Sequence, residues 1–264
     1  MKKEKIKLPS RLIATVVLIL LALGFILGYI WLSLTTSDYF KIKSIVTKDL
    51  SPDDFSYLLG KNIFSVDLKN ESRHILQFYP ESSKINLVRV LPDRLFVGSL
   101  KRKPIAIVKL NRYFALDNNG TFFYTSKPEE QQLPLVLGLA TKISSPLPGR
   151  RYNIREIAYV TNLLKEIKKS RELKDYIIKE IDLTSPNDVS ISILYFLETP
   201  GPEGVKGTVA PLSLEVKIGQ DNVKGKIAIL SSVIAQTRND LASIKYIDLR
   251  FKDPVIKFKD VKTR

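Results

Sequence analysis

The sequence predicts an α+β protein hung from a single-pass membrane anchor. Three observations lead there. An uncharged run of 23 residues, Leu12 to Leu34, is long enough to cross a bilayer, at about 1.5 Å of helix rise per residue against a hydrocarbon core of about 30 Å. From Phe40 to about Arg102 the residue pattern reads strand, helix, helix, strand, strand. From Pro104 onward it is β-rich, with two helical stretches.

The anchor is bounded by charge. No residue between Arg11 and Asp38 is charged, and backbone groups in lipid must be satisfied internally, so the run is expected to be helical. Gly24 and Gly28, four residues apart, can admit a second helix; Tyr29 and Trp31 suit the interfacial aromatic belt. Lys2, Lys3, Lys5, Lys7 and Arg11 against the single acid Glu4 put the N-terminus in the cytoplasm and everything after Asp38 outside. The run exceeds a signal-peptide core, and WLSLTTSDYF offers no small-residue cleavage site, so the anchor is expected to stay uncleaved.

Composition narrows the chemistry. The chain's formal net charge is +15, of which the N-terminal tail carries +4, so the still basic exported part is drawn to anionic headgroups or an anionic wall polymer, or is simply kept soluble by its charge. Nucleic acid is not an expected partner on that side of the membrane. The chain has no cysteine, hence no disulfide or thiolate metal site, and a single histidine, His74, which reads as a helix-surface residue. No G-x-S-x-G, S-x-x-K, H-E-x-x-H, dinucleotide or P-loop spacing occurs. No catalytic residue, cofactor, metal or small-molecule substrate is therefore expected.

The elements follow in order. A strand lies near Phe40 to Val46. SPDDFSYLLG reads as a short helix with Ser51 at the N-cap, Pro52 at N1 and Gly60 at the stop; capping explains the adjacent Asp53 and Asp54 better than an acidic pair does. A second helix covers roughly Asp67 to Tyr79, and strands around Ile85 to Leu91 and from Leu95 are joined at Pro92-Asp93. RYFALDNNGTFFY reads as a hairpin turning at Asn118 to Gly120, its aromatics serving sheet packing. A helix is expected from Asn153 to about Lys169, capped by an Asn153–Glu156 box. Strands follow at Ile177 to Leu183 and Val189 to Leu197, joined by TSPND. Glu198 to Pro211 reads as an exposed loop, LSLEVKIGQ as a strand, and Val223 to about Arg238 as a helix.

The run LVRVLPDRLFVGSLKRKPIAIV, with GKNIFSVDL upstream, resembles the polypeptide-transport-associated (POTRA) domain of the FtsQ/DivIB cell-division family, through Arg89, Leu91, Pro92, Asp93, Arg102, Pro104 and Ala106. It departs at Lys101, where the family has an acid, and at Gly98 and Ser99, where larger apolar residues are usual. The closing YIDLRF…DPVI also resembles the family's terminal signature. The resemblance implies a cytoplasmic tail (1–11), a transmembrane helix (12–34), a POTRA domain of β-α-α-β-β order (38–103), a β domain with two helices (104–259) and a basic end (260–264).

The resemblance further implies a non-enzymatic divisome protein at the septum of the cytoplasmic membrane, its outer part periplasmic or extracellular. Such a protein links early division proteins to the septal peptidoglycan machinery and holds FtsB/DivIC and FtsL-type coiled-coil membrane proteins. An exposed C-terminal strand edge offers unpaired N–H and C=O groups for strand addition. The expected partner-binding residues are Tyr246, Asp248, Arg250, Phe251, Val255, Ile256, Lys257 and Phe258, while Ile247 and Leu249 are expected to pack inward. Pro254, lacking an N–H, fits an edge or strand end. The competing readings are a POTRA-bearing export component and a membrane-anchored wall enzyme with two facing carboxylates.

Overall fold

A computed structural model describes residues 10–125, 132–185, 188–199, 208–238 and 240–259. Both terminal tails, the Pro186-Asn187 step of the TSPND connection and the middle of the Glu198–Pro211 segment lie outside the described residues. The fold is α+β. One helix among the described residues, α1 (Ser10–Thr36), is long and apolar enough to cross a membrane.

The chain divides into two compact units, and α1 belongs to the first. The first runs through Phe78 and takes in Ser82–Leu100; the second comprises Tyr79–Glu81 and the chain from Lys101 on. In the first, β1 (Ser44–Lys48), a 3-10 helix (Pro52–Leu58), α2 (Leu68–Phe78), β2 (Ser82–Val90) and β3 (Arg94–Lys101) follow one another, and the sheet order is β1-β3-β2. The strand expected from Phe40 instead starts at Ser44, because Asp38–Phe40 is already a 3-10 turn.

The Pro52 segment is 3-10 rather than α, and Ser51 makes no side-chain capping bond. Phe55 and Leu58, three residues apart, are both buried, and three residues per turn puts them on one side. Asp67 Oδ1 caps α2, accepting from the N–H groups of Lys69 (3.0 Å) and Asn70 (3.1 Å). Arg89 reaches from β2 to the loop before α2, with Nε donating to Ile63 O at 2.7 Å and Nη2 to Val66 O at 2.8 Å. His74 is exposed, beside Glu71 and edge-on to Phe78.

The second unit holds a nine-stranded sheet. Its strands are β4 (Pro104–Lys109), β5 (Tyr113–Asp117), β6 (Phe122–Tyr124), β7 (Leu135–Leu137), β8 (Ile177–Asp182), β9 (Ser190–Thr199), β10 (Thr208–Lys217), β11 (Ile244–Asp248) and β12 (Val255–Phe258). The order is β12-β11-β10-β9-β8-β7-β4-β5-β6. Helices α3 (Arg155–Lys169) and α4 (Val223–Gln236) contribute Ile157, Val160, Leu163, Ile227 and Leu230 to the core they share with Val108, Phe114, Ile181, Ile193, Leu214 and Ile247. The aromatic hairpin packs as sheet and core: the rings of Phe114 and Phe122 stack at 5.9 Å, and those of Phe122 and Tyr152 at 4.8 Å.

Two expectations change here. No Asn153 capping box forms: α3 starts at Arg155 with Ile154 at the N-cap, because Tyr152 N–H is held by Gly120 O at 2.8 Å and Ile154 packs on the core. Glu198–Pro211 is not loop throughout, since β9 extends to Thr199 and β10 begins at Thr208. Pro211 is tolerated opposite Phe196 because β11 joins β10 only from Glu215 to Lys217, which leaves β10 bordered on the β9 side alone at Pro211.

Gly138 ends β7 at φ +87°, and a Cβ there would stand 2.3 Å from Thr184 N and 2.4 Å from Leu183 C. The obstacle is backbone, held by Leu183 N–H donating to Leu137 O at 3.2 Å. Gly138→Ala combines this clash with a strained backbone region, so a loss of at least about 2 kcal/mol is expected. Thermal unfolding by circular dichroism checks it; a melting temperature within a degree of the parent would refute the close approach.

Candidate partner interface

The sheet's two edges differ. At the β6 edge, Phe122 N–H donates to Arg150 O at 3.2 Å, Gly149 N–H donates to Phe122 O at 2.7 Å, and Thr121 bridges to Arg151. The 149–151 segment therefore occupies the Phe122 backbone groups that a further strand would need at the start of β6. At the other end, β12 pairs antiparallel with β11 (Ile247 opposite Ile256, Asp248 opposite Val255), and no described strand lies beyond it.

The free side of β12 follows from alternation. Lys259 N–H donates inward to Ser243 O at 2.7 Å. Residues two apart share a direction along an antiparallel ladder, so Lys257 and Val255 face β11 with their backbone groups, and Ile256 and Phe258 turn theirs to the open edge. Val255 is 46% exposed and Phe258 51%, whereas Ile256 packs partly on the core. This is an edge of four residues with apolar side chains on both faces.

The connection from β11 to β12 is fixed by one guanidinium. Asp248 is buried to 4% exposure; its Oδ1 accepts from Arg250 N–H (3.0 Å) and Nε (2.9 Å), and its Oδ2 from Arg250 Nη2 (2.6 Å). Arg250 Nη1 also meets Asp188 Oδ1 at 2.9 Å, bridging to the segment before β9. The same guanidinium lies 5.8 Å from the Phe251 ring, which is 62% exposed. Tyr246 is half-buried, with Lys217 Nζ 5.4 Å from its ring.

The eight residues expected for partner binding thus divide. Phe251, Val255, Lys257 and Phe258 are open to solvent. Ile256 is half in the core, Tyr246 and Arg250 are engaged with neighbours, and Asp248 is an internal acceptor. Ile247 and Leu249, expected inside, are buried. Asp188 and Lys217 belong to the same cluster; 62 residues of chain separate Asp188 from Arg250, and no local pattern marks the pair.

Hydrogen bonds from the Arg250 side chain hold the Asp248 carboxyl below its ordinary value. A carboxyl depressed in the folded state contributes stability that is present above the unfolded value, about 3.9, and is lost as the pH falls through the folded value. Asp248→Asn is therefore expected to lower the melting temperature at pH 7, with the gap to the parent closing progressively below about pH 4. Calorimetry across that range checks it, and an unchanged gap in acid would exclude charge as the cause.

The family model for "Cell division protein FtsQ/DivIB, C-terminal" matches residues 106–250. Among curated proteins, the chain is 23% identical to the Cell division protein FtsQ of Koribacter versatilis, over 94% of this chain and 72% of that protein. It is 26% identical to the FtsQ of Syntrophotalea carbinolica, over 81% of this chain and 72% of the relative. A third FtsQ, from Geotalea daltonii, is 22% identical over 75% of this chain and 65% of its own length.

Proposed function

The chain belongs to the FtsQ/DivIB family of cell division proteins, and from that membership and its open sheet edge we propose that it is a non-enzymatic assembly protein of the divisome. It links early division proteins to the septal peptidoglycan machinery through protein–protein contacts. Its N-terminus is cytoplasmic, α1 crosses the cytoplasmic membrane, and both folded units act outside. The first unit is a POTRA domain. The partners are FtsB/DivIC and FtsL-type coiled-coil membrane proteins.

The observation that carries this reading is the contrast between the two ends of the nine-stranded sheet. An extended partner segment added beside β12 bonds the outward N–H and C=O groups of Ile256 and Phe258, and its side chains meet Val255, Phe258 and Phe251. Strand addition takes affinity from the main chain and specificity from alternating side chains. The network of Asp188, Arg250 and Asp248 positions the turn that presents the edge.

The test is the position of an N-terminally labelled fluorescent fusion in dividing cells. A band at the septum that appears late in constriction supports the proposal. A uniform envelope signal would sink the division role.

A further inference from the structure

Where α1 ends, no free linker follows. Thr36 closes the helix, and Asp38–Phe40 turns at once into a 3-10 helix in which Ser37 Oγ accepts from Tyr39 N–H at 3.2 Å. The chain then pairs with the segment at 60–63: Ile42 N–H donates to Lys61 O, Gly60 N–H to Ile42 O, and Ile63 N–H to Phe40 O, each at 2.9 Å. Asn62 closes the joint. Its Nδ2 donates to Leu34 O at 2.9 Å and to Ser37 O at 3.4 Å, while its Oδ1 accepts from Phe64 N–H at 2.9 Å. The last carbonyls of a helix lack partners inside it. Here a side chain 28 residues along the chain supplies one.

Rings gather at the same place. Phe40 meets Phe64 edge-on at 5.1 Å and Tyr39 at 5.2 Å, and Tyr39 is 63% exposed. Lys41 and Lys61 are exposed beside them, Lys41 paired with Asp38 at 2.7 Å and Lys61 lying 5.3 Å from the Tyr57 ring. The apolar span of α1, Ala14–Thr36, ends three residues before Tyr39. A hydrocarbon layer filled by that span leaves the rings at headgroup depth, where amphipathic aromatics and snorkelling lysines are both favoured.

We propose that this joint is a membrane-interface seat. Tyr39, Phe40 and Phe64, with Lys41 and Lys61, dock into the phospholipid headgroup layer, and the Asn62 amide locks the end of α1 to the first unit so that helix and unit move as one body. The occupant is the lipid surface, because the ring cluster is continuous with a span that already lies in it. Tilt or rotation of α1, imposed by a neighbouring helix, then reaches the outer unit directly. The inference rests on reading α1 as a membrane span, and the test separates the two.

The chain has no native cysteine, so single cysteines report cleanly. Full-length protein is placed in nanodiscs of phosphatidylethanolamine and phosphatidylglycerol, with an environment-sensitive fluorophore at Leu23→Cys, Tyr39→Cys or Lys174→Cys, and nitroxide-labelled headgroup lipids as quencher. Emission at position 23 is expected to shift to the blue, which establishes the span. Position 39 should also shift and be quenched by headgroup nitroxide, while position 174 reads as water and is unquenched. A position 23 in water would overturn the span itself. A position 23 in lipid with position 39 indistinguishable from 174 would overturn the seat alone. Asn62→Ala should raise spin-label mobility at position 39 with the circular dichroism spectrum unchanged; unaltered mobility would refute the Asn62 lock.

Discussion

Changing Phe258 to aspartate is expected to weaken capture of an FtsB-type partner by roughly 30-fold, the order of a 2 kcal/mol hot spot, while leaving the melting temperature close to the parent's. The side chain is 51% exposed at the outer edge of β12, so the fold loses little when it is replaced. An added strand would bury it, and a carboxylate there loses hydration without gaining a partner. Tyr124→Asp makes the matched control, because Tyr124 is equally exposed but sits on β6, the edge at which 149–151 already takes the N–H and C=O of Phe122. Titration against the partner's extracytoplasmic segment should separate the two variants. Equal losses would mean that binding does not use the β12 edge.

A backbone variant sharpens the point. Proline at 258 removes an N–H that faces the open edge, whereas proline at 257 removes one that faces β11. Strand addition requires Phe258→Pro to lose the partner while the chain stays folded, and Lys257→Pro to lose stability as well. Because the ring is lost in either case, Phe258→Ala is the reference: a partner that bound side chains alone would lose no more to Phe258→Pro than to Phe258→Ala.

Sequence reading reached the elements better than their arrangement. Helices α2, α3 and α4 were legible because apolar residues recur at helical spacing, and β12 because Pro254 marks a strand start that needs no N–H. The 3-10 form of Pro52–Leu58 was not legible: seven residues hold too few turns to separate a period of three from one of 3.6. Strand order was likewise hidden, since nothing local says that β7 inserts between β4 and β8 or that β11 lies parallel to β10. Within the interface, the sequence marks Val255 to Phe258 as one contact stretch without separating Ile256, which packs partly on the core, and the buried state of Asp248 depends on Arg250 folding back onto it. Arg89 and Arg102 stood out only through the resemblance to the family pattern; in the structure Arg89, on β2, donates to the carbonyls of Ile63 and Val66, and Arg102, between β3 and β4, donates to that of Pro80.

Arg102 and Asp117 carry the second large expected effect. Their side chains are 8% and 6% exposed, and Nη1 meets Oδ2 at 2.6 Å. Arg102 Nε also donates to Pro80 O at 3.0 Å, holding Tyr79–Glu81 against the rest of the second unit. Asp117 Oδ1 in turn accepts from the N–H groups of Asn119 and Thr121, each at 2.9 Å, and so staples the β5–β6 turn. Removing one partner of a buried pair leaves an uncompensated charge, at a cost of about 3–5 kcal/mol. Asp117→Ala should lie at the top of that range, because it also strips two turn N–H groups of their acceptor. Arg102→Ala should lie at the bottom, because those two N–H groups still solvate the carboxylate. The double variant is expected to match Asp117→Ala alone rather than the sum, since once the carboxylate is gone the cation has little left to lose. Urea unfolding of the three variants gives the ordering. Additive losses would mean that the turn staple and the ion pair are independent, and that Arg102 is held by Pro80 rather than by Asp117.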